Sequence, residues 1–313
     1  MELVMNIAIM LAGFVLLIKG ADFFVDGASG IADKFGIPQL VIGLTIVAFG
    51  TSAPEAAISI SAGLKGNTGI AIGNVVGSNI MNILLILGIT SCIVPLAVAK
   101  STRKVEIPFT LLVTLVLVVY GAIFGELNLI GGIILWVFFI LFFVHLIKVA
   151  KNSEPSAEEN VETTKQHSMI MLIIFTIGGL AAIVWGSNLT VDGATAVAKF
   201  FHVSDRIIGL TIVAFGTSLP ELMTSVTAAR KGNADIAVGN IIGSNIFNIL
   251  FVLGTTALLA PIPYAKNFIF DGIVAIAAVV LLLAGIREGK LGKKAGVTML
   301  VCYAGYFGYL LVA

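Results

Sequence analysis

The sequence predicts an all-α integral membrane protein with ten transmembrane helices, arranged as two inverted repeats of five helices each. Of the 313 residues, 58% are hydrophobic and only 11% are charged, whereas a soluble domain is nearer half apolar and a quarter charged. Apolar stretches long enough to cross a bilayer recur along the whole chain. One long segment occurs twice, and an odd number of helices per copy would turn the second copy upside down in the membrane.

The apolar stretches divide each half of the chain into five spans of about 20 residues, the length that crosses the hydrocarbon core. In the first half we place the spans near 6–29, 39–64, 68–97, 105–125 and 128–149. In the second half we place them near 168–198, 205–230, 234–261, 266–286 and 293–312. The first span has no basic region before it and no small-residue cleavage site after it, so we interpret it as a membrane helix and not as a signal peptide.

The repeat occupies residues 41–88 and 207–254, at a constant offset of 166, with no gap and with 31 identities in 48 positions. It predicts two homologous halves, 1–150 and 168–313, joined by the segment 151–167. That segment is polar and rich in glutamate, which is typical of a solvated, flexible linker.

Lysine and arginine are distributed unequally between the loops on the two sides of the predicted bundle. One side, which includes the linker, carries thirteen of them, and the other carries four. Because cytoplasmic loops are enriched in these residues, we expect a multi-pass protein of the cell membrane with a cytoplasmic linker and both termini outside. The net charge of +1 gives no indication of a nucleic-acid partner, and no obligate protein partner is evident beyond the lipid bilayer.

Each copy of the repeat contains the motif Gly-Thr-Ser-X-Pro-Glu, which ends at Glu55 in the first half and at Glu221 in the second. A charged residue in the middle of a membrane helix costs about 3 kcal/mol, so it indicates a functional site. Pro54 and Pro220 lack an N–H and release a backbone carbonyl about one turn earlier. Such carbonyls are tolerated only where they face protein or a water-filled cavity. The motif therefore predicts carboxylate and carbonyl oxygens at one point of each half.

Helical spacing predicts that Ala48, Ser52 and Glu55 share one helix face, with Thr51 four residues before Glu55. The next helix of each half carries a polar side chain every four residues: Asn74, Ser78 and Asn82, then Asn240, Ser244 and Asn248. Two such half-sites supply carboxylates and many neutral oxygens, the ligands of a hard cation such as calcium. They supply no soft ligand for zinc, copper or iron. One divalent ion or two monovalent ions would neutralise the two acids, so we expect the two loads to exclude each other.

These motifs resemble the cation/calcium exchanger superfamily. The Gly-Thr-Ser-X-Pro-Glu and Gly-Ser-Asn-X-X-Asn stretches resemble its sodium/calcium exchanger branch, particularly the prokaryotic members. The resemblance implies ten helices, four cation sites around the paired glutamates, alternating access by sliding of the first and sixth helices, and exchange of three sodium ions per calcium. It implies a transporter and not an enzyme, with sodium and calcium as transported ions and no cofactor.

Carried over by position, the resemblance implies this set of cation ligands: Ala48, Thr51, Ser52, Glu55, Ser78, Asn82, Ala214, Thr217, Ser218, Glu221, Ser244 and Asn248. Some relatives, including the potassium-dependent branch, have aspartate where Asn248 stands. We therefore expect exchange that does not need potassium. With two acids in the site, three sodium ions leave a charge of +1, so we also expect electrogenic transport.

Other interpretations stay open at this point. A proton/calcium exchanger of the same superfamily is one, although members of that branch usually have Gly-Asn-Ala-X-Glu. An intramembrane enzyme is disfavoured because the two glutamates have no nucleophile or metal partner set, and a passive channel because channels usually build selectivity rings from symmetric subunits. Locally, the hydroxyls could bond to their own helices, Asn79 and Asn245 could join helices, and Lys19 could pair with Asp22.

Overall fold

The computed structural model describes residues 2–152, 167–202 and 214–312; most of the predicted linker (153–166) and the first part of the span near 205–230 lie outside these residues. In chain order, the helices of the first half are α1 Glu2–Phe35, α2 Gln39–Ile42, α3 Ala48–Thr51, α4 Ala53–Leu64, α5 Thr68–Met81, α6 Gly88–Ile93, α7 Lys100–Lys104, α8 Glu106–Phe124 and α9 Leu129–Asn152. Those of the second half are α10 Met169–Phe200, α11 Ala214–Thr217, α12 Leu219–Arg230, α13 Ala234–Phe247, α14 Gly254–Leu259, α15 Lys266–Gly285 and α16 Lys293–Val312.

Within the described residues, three π-helical turns interrupt these helices, at Gly43–Val47, Asn82–Leu87 and Asn248–Leu253. The last two lie 166 residues apart and each begins at an asparagine of the predicted ligand set. Single π turns inside α-helices are frequent at functional sites. The repeat is therefore preserved in local backbone geometry as well as in sequence.

Seven helices in the described part of the chain are long and apolar enough to cross a membrane: Leu3–Phe35, Thr68–Ile93, Lys100–Phe124, Leu129–Lys151, Met169–Phe200, Ala234–Leu259 and Phe268–Gly285. The pair Gln39–Thr51 and Ala53–Leu64, bent by 52°, makes an eighth if it counts as one span. The predicted span near 293–312 is present as the helix α16 but is not among the seven. The molecule is thus an all-helical, multi-pass membrane protein.

The helices of the repeat lie at the centre of the bundle. In the span Ala234–Leu259, 94% of the most apolar stretch is buried, compared with 17% in Leu3–Phe35. A helix that is apolar and also buried from lipid is available to carry polar side chains that other helices can satisfy. The polar stripe predicted on this helix therefore lies inside the protein.

The helices α1 and α10 occupy equivalent places in the two halves, and they pack against each other in opposite directions. Gly13 packs against Thr190, Gly20 against Ile183 and Gly27 against Thr176, so the residue number falls along α10 as it rises along α1. A Cβ atom at Gly20 would lie 2.8 Å from the backbone nitrogen of Ile183. Small residues allow this close approach of membrane helices. We call these two helices the α1–α10 pair.

In the part of the chain that the structure describes, five two-residue strands tie the ends of the helices together. The strand β1 (Leu96–Ala97) pairs with β5 (Lys290–Leu291), which also pairs with β4 (Ile286–Arg287). The strand β2 (Glu126–Leu127) pairs with β3 (Ile262–Pro263). All of these pairings are antiparallel. The strands β1 and β3 are equivalent, since they lie 166 residues apart. Each of them pairs with a strand of the other half, β1 with β5 and β3 with β2.

Candidate cation site

The two motif glutamates lie in the first turns of α4 and α12, and each is only 1% exposed. Both helices begin with a proline at an early position, directly after a break at Ser52 or Ser218. Since the residue before a proline tends to leave the helical conformation, and proline itself cannot continue the hydrogen-bond ladder, the sequence breaks the helix here. The break brings each acid to the start of a new helix inside the protein.

Each glutamate accepts a hydrogen bond from the serine of the other half. The Ser52 hydroxyl donates to Glu221 Oε1 at 2.8 Å, and the Ser218 hydroxyl donates to Glu55 Oε1 at 3.4 Å. Helical spacing alone does not predict this crossing, because the helix ends at Thr51 and resumes at a different angle. The two half-sites are therefore interlocked, and the carboxylates lie within electrostatic range of each other.

Four asparagines link the central helices in the same reciprocal way. The Asn79 amide donates to the carbonyl of Asn245 at 3.1 Å, and the Asn245 amide donates to the carbonyl of Asn79 at 3.2 Å. Asn245 Oδ1 accepts a hydrogen bond from Asn82 Nδ2 at 2.9 Å. In the same way, Asn79 Oδ1 accepts one from Asn248 Nδ2 at 3.3 Å. The interpretation of Asn79 and Asn245 as residues that join helices is confirmed. These bonds also fix how the amides of the two neighbouring asparagines are oriented.

With the amides oriented in this way, two symmetric pairs of buried oxygens have no hydrogen-bond partner: Oε2 of Glu55 and Glu221, and Oδ1 of Asn82 and Asn248. A buried acceptor without a donor costs about 1–3 kcal/mol, so four of them, in two equivalent pairs, require an explanation. A hard cation supplies it, since calcium is bound by carboxylate and amide oxygens. The orphaned atoms thus belong to four of the predicted ligand residues.

A second set of polar residues supports the acidic turns from behind. Asn74 Nδ2 donates to the carbonyl of Glu55 at 3.4 Å and to the Ser59 hydroxyl at 2.9 Å. In the second half, Asn240 Nδ2 likewise donates to the carbonyl of Glu221 at 3.3 Å and to the Ser225 hydroxyl at 3.0 Å. The sequence placed both asparagines in the polar stripe but not among the ligands. The signal that could have identified the two serines was their identical offset from the motif.

Some of the remaining predicted ligands lie beside the two acids, and others bond within their own helices. Thr51 and Ser244 lie beside Glu221, and Thr217 lies beside Glu55. The carbonyl of Ala48 already accepts the Ser244 hydroxyl at 3.4 Å.

Ser78 donates at 2.6 Å to the carbonyl of Asn74 in its own helix, which is the local bonding considered for these hydroxyls. Thr51 bonds in the same way to the carbonyl of Val47 at 3.1 Å, but also reaches Asn240 Oδ1 at 3.0 Å. Ala214 opens α11 next to the segment 203–213, which lies outside the described residues.

One contact of the site has no counterpart in the other half. The Ser187 hydroxyl of α10 donates to the carbonyl of Gly216 at 2.6 Å. Because Pro220 has no N–H, this carbonyl has lost its usual helical donor, and Ser187 replaces it. The equivalent position in α1 is Ala21, which carries no hydroxyl. The backbone turn before the acid is therefore held differently in the two halves.

Comparison with known proteins gives one family for nearly the whole chain. A family model described as "Sodium/calcium exchanger protein" matches residues 5–148 and 171–312. The chain is 42% identical to a putative antiporter, CaxA, of Alkalimonas amylolytica, over 96% of this chain and 97% of that protein. It is 35% identical to the sodium/calcium exchanger MaX1 of Methanosarcina acetivorans, over 96% and 97% of the two chains.

Solved structures agree with this comparison. A structure of the sodium-calcium exchanger NCX_Mj, soaked with sodium and strontium, matches with a TM-score of 0.83 and 36% identity. The match covers 96% of this chain and 97% of that one. The fold and the sequence therefore agree over nearly the whole chain.

Proposed function

The chain belongs to the sodium/calcium exchanger protein family, and we propose that it is a secondary antiporter that exchanges sodium for calcium across the cell membrane. The observation that carries the proposal is the reciprocal pair of buried glutamates, Glu55 and Glu221, each with an unpartnered oxygen. Two buried carboxylates in low dielectric require counter-charge. A transported cation supplies this charge, and its release leaves a site that favours binding the next one.

The charge of the site defines the exchange. Glu55 and Glu221 give a formal charge of −2, which one calcium or two sodium ions cancel. Three sodium ions leave +1, so a 3:1 exchange moves net charge with each cycle. Neutral Asn248, in place of an acid, keeps this charge at −2 and favours exchange that does not need potassium. Because the same oxygens serve both loads, occupancy by one excludes the other, and this exclusion couples the fluxes.

The ligands proposed for this site are the twelve predicted from the sequence. Glu55 and Glu221 bind calcium directly, helped by the carbonyls of Thr51 and Thr217, while Asn82 and Asn248 line the middle. Flanking sodium sites are completed by the remaining members: Ser52, Ser78, Ser218, Ser244 and the carbonyls of Ala48 and Ala214. The four orphaned acceptors support the central part of this assignment.

The proposed architecture is two inverted halves of five helices, 1–150 and 168–313, joined by a linker, 151–167, on the cytoplasmic side, with both termini outside. The antiparallel packing of the equivalent helices α1 and α10 supports the inversion, as do the crosswise strand pairs. A site at the interface of inverted repeats is the geometry that permits access from alternating sides of the membrane.

The test is calcium uptake by purified protein in liposomes loaded with sodium. We expect uptake that requires the outward sodium gradient and is indifferent to potassium. Because net positive charge leaves the liposome in each cycle, the interior becomes negative and opposes further exchange. Uptake should therefore be faster when this potential is allowed to dissipate. Uptake driven by a pH gradient alone, with sodium without effect, would replace sodium by protons as the coupling ion. The variant Glu55→Gln, purified in the same way, is the negative control for leak.

A further inference from the structure

The two ends of the α1–α10 pair differ in what holds them. At one end, Lys231 lies in the turn between α12 and α13, and its Nζ donates to Asp26 Oδ1 at 2.8 Å and to the carbonyl of Asp22 at 2.9 Å. Two residues later, Asn233 Nδ2 donates to the Ser29 hydroxyl at 2.9 Å. We call these five residues the α12–α13 clasp. They bind the second half to α1, so the interpretation that pairs Asp22 with Lys19 is wrong.

The repeat places the same chemistry at the opposite end of the pair. At an offset of 166, the positions equivalent to Lys231 and Asn233 are Lys65 and Asn67, in the turn between α4 and α5. The positions equivalent to the three clasp residues of α1 are Asn188, Asp192 and Thr195 on α10. We call this set the α4–α5 counterpart. The two turns have the same backbone shape, since Gly66 and Gly232 both adopt a positive φ, of 78° and 83°. The turns are therefore equally able to present a lysine and an asparagine.

The α4–α5 counterpart is nevertheless not joined. Within the described residues, no ion pair links Lys65 to Asp192, and both side chains are exposed. The Thr195 hydroxyl is buried and has no hydrogen-bond partner, although its equivalent, Ser29, is bonded. A buried hydroxyl without a partner is unfavourable, which points to a second arrangement of the molecule in which Asn67 reaches it.

Resting on the proposed exchange function, we infer that Lys231 is a positioning residue for the transport cycle. The α12–α13 clasp holds the α1–α10 pair against the second half and closes that end of the site. When the pair moves, the clasp opens, and Lys65 and Asn67 bind Asp192 and Thr195 at the other end. The two sets lie at opposite ends of one closely packed antiparallel pair, so a single movement opens one as it closes the other.

The exposure of the clasp suits a contact that breaks in every cycle. Lys231 is 27% exposed, and the side chains of Asp22 and Asp26 are 39% and 50% exposed. Ion pairs with this access to water contribute little, and each changes a population by about two- to fivefold. A stronger bond on one side alone would trap the carrier in one state.

Disulfide trapping tests the inference on the full chain. In a background with Cys92 and Cys302 replaced by alanine, one protein carries Ser29→Cys with Asn233→Cys, and the matched protein carries Asn67→Cys with Thr195→Cys. We expect both cysteine pairs to form disulfides. Ion conditions that increase the linking of one pair should decrease the linking of the other. Each disulfide should stop exchange, and reduction should restore it. A 67/195 pair that never links in a protein that still exchanges would overturn the inference.

Lysine variants test the positioning role through the rate of disulfide linking at the opposite end of the α1–α10 pair. A purely structural role of Lys231 would not change that rate. Lys231→Met should raise the rate of 67/195 linking about threefold, Lys65→Met should lower it, and Lys231→Arg should behave as the parent protein. Equal changes of both pairs in either variant would contradict alternation. A parent protein that moves no calcium on a sodium gradient would reject the proposed function, whereas the linking pattern would still report whether the two clasps alternate.

Discussion

At the centre of this protein the motif serines and the asparagines Asn79 and Asn245 form the same bonds in both halves with the roles exchanged, whereas at the ends of the α1–α10 pair the described residues form the clasp in one half only. Ser52 and Ser218 each reach the other half's glutamate, and Asn79 and Asn245 bond to each other's backbone. At the periphery, Lys231 binds α1 while Lys65 is exposed. Reciprocity at the centre means that the ion site is shared equally. Its loss at the ends means that the molecule has adopted one of two equivalent arrangements.

The largest expected effect tests the shared centre. Glu55→Gln and Glu221→Gln should each lower sodium-driven calcium exchange by about 100-fold or more, because each lowers the formal charge of the site to −1, which no longer cancels a calcium ion, and removes a ligand oxygen. The measurement is calcium flux in proteoliposomes. Equal losses support a shared site, and one fully active variant would remove that acid from it.

Glu106→Gln is the matched control for these variants. Glu106 is also 1% exposed, but its partner is His145 Nε2 at 3.1 Å, and it lies outside the repeat. The variant should purify and exchange calcium as the parent does. Loss of exchange in this control equal to that in Glu55→Gln would show that burying a neutral amide, and not loss of a ligand, explains the effect.

A second pair of variants tests whether the middle asparagines are ligands in both halves. Asn248→Asp makes the formal charge of the site −3, so three sodium ions would leave no net charge and one calcium ion would leave −1. The dependence on membrane potential should therefore shift from the sodium-loaded step to the calcium-loaded step. Calcium affinity should change by about tenfold, since an extra carboxylate changes the ligand charge. Asn82→Asp should do the same. An unchanged calcium affinity together with an unchanged voltage-dependent step in one variant would remove that asparagine from the site.

The asparagine bonds between the halves should matter for stability more than for ion choice. Asn79→Ala and Asn245→Ala each leave a buried backbone carbonyl and a neighbouring amide without a partner, so each should destabilise the protein by about 1–2 kcal/mol. Thermal unfolding in detergent measures this loss. The relative preference for calcium over sodium should change less than in Asn248→Asp or Asn82→Asp, and an equally large change would mean that these amides contact the ions.

The smallest expected effect concerns the bond from Ser187 to the Gly216 carbonyl. Ser187→Ala removes the donor to the Gly216 carbonyl and should lower stability by about 1 kcal/mol, while Ala21→Ser offers the first half an equivalent hydroxyl and should change stability little or raise it. Unfolding in detergent compares the two. A larger loss from Ala21→Ser than from Ser187→Ala would show that the halves are not equivalent in backbone position here.

Much of this arrangement could be predicted from the sequence because it repeats. The duplicated motif, its prolines and the asparagines every four residues identify the acids and the helix that faces them. The crosswise bonds could not be predicted, since the direction of the Ser52 side chain depends on the 52° bend that follows Thr51. Helical spacing alone relates Ser52 only to Glu55 of its own half. The clasp at Lys231 was missed because no local pattern relates residue 231 to residues 22 and 26.

The central claim is that one cage of oxygens binds either calcium or sodium. Its most direct test is equilibrium calcium binding to the purified protein in detergent at a series of sodium concentrations. The account predicts that sodium raises the apparent Kd for calcium more steeply than in direct proportion to its concentration, while the number of calcium ions bound at saturation stays constant. A calcium Kd that is independent of sodium, in a protein that still binds both ions, would contradict it.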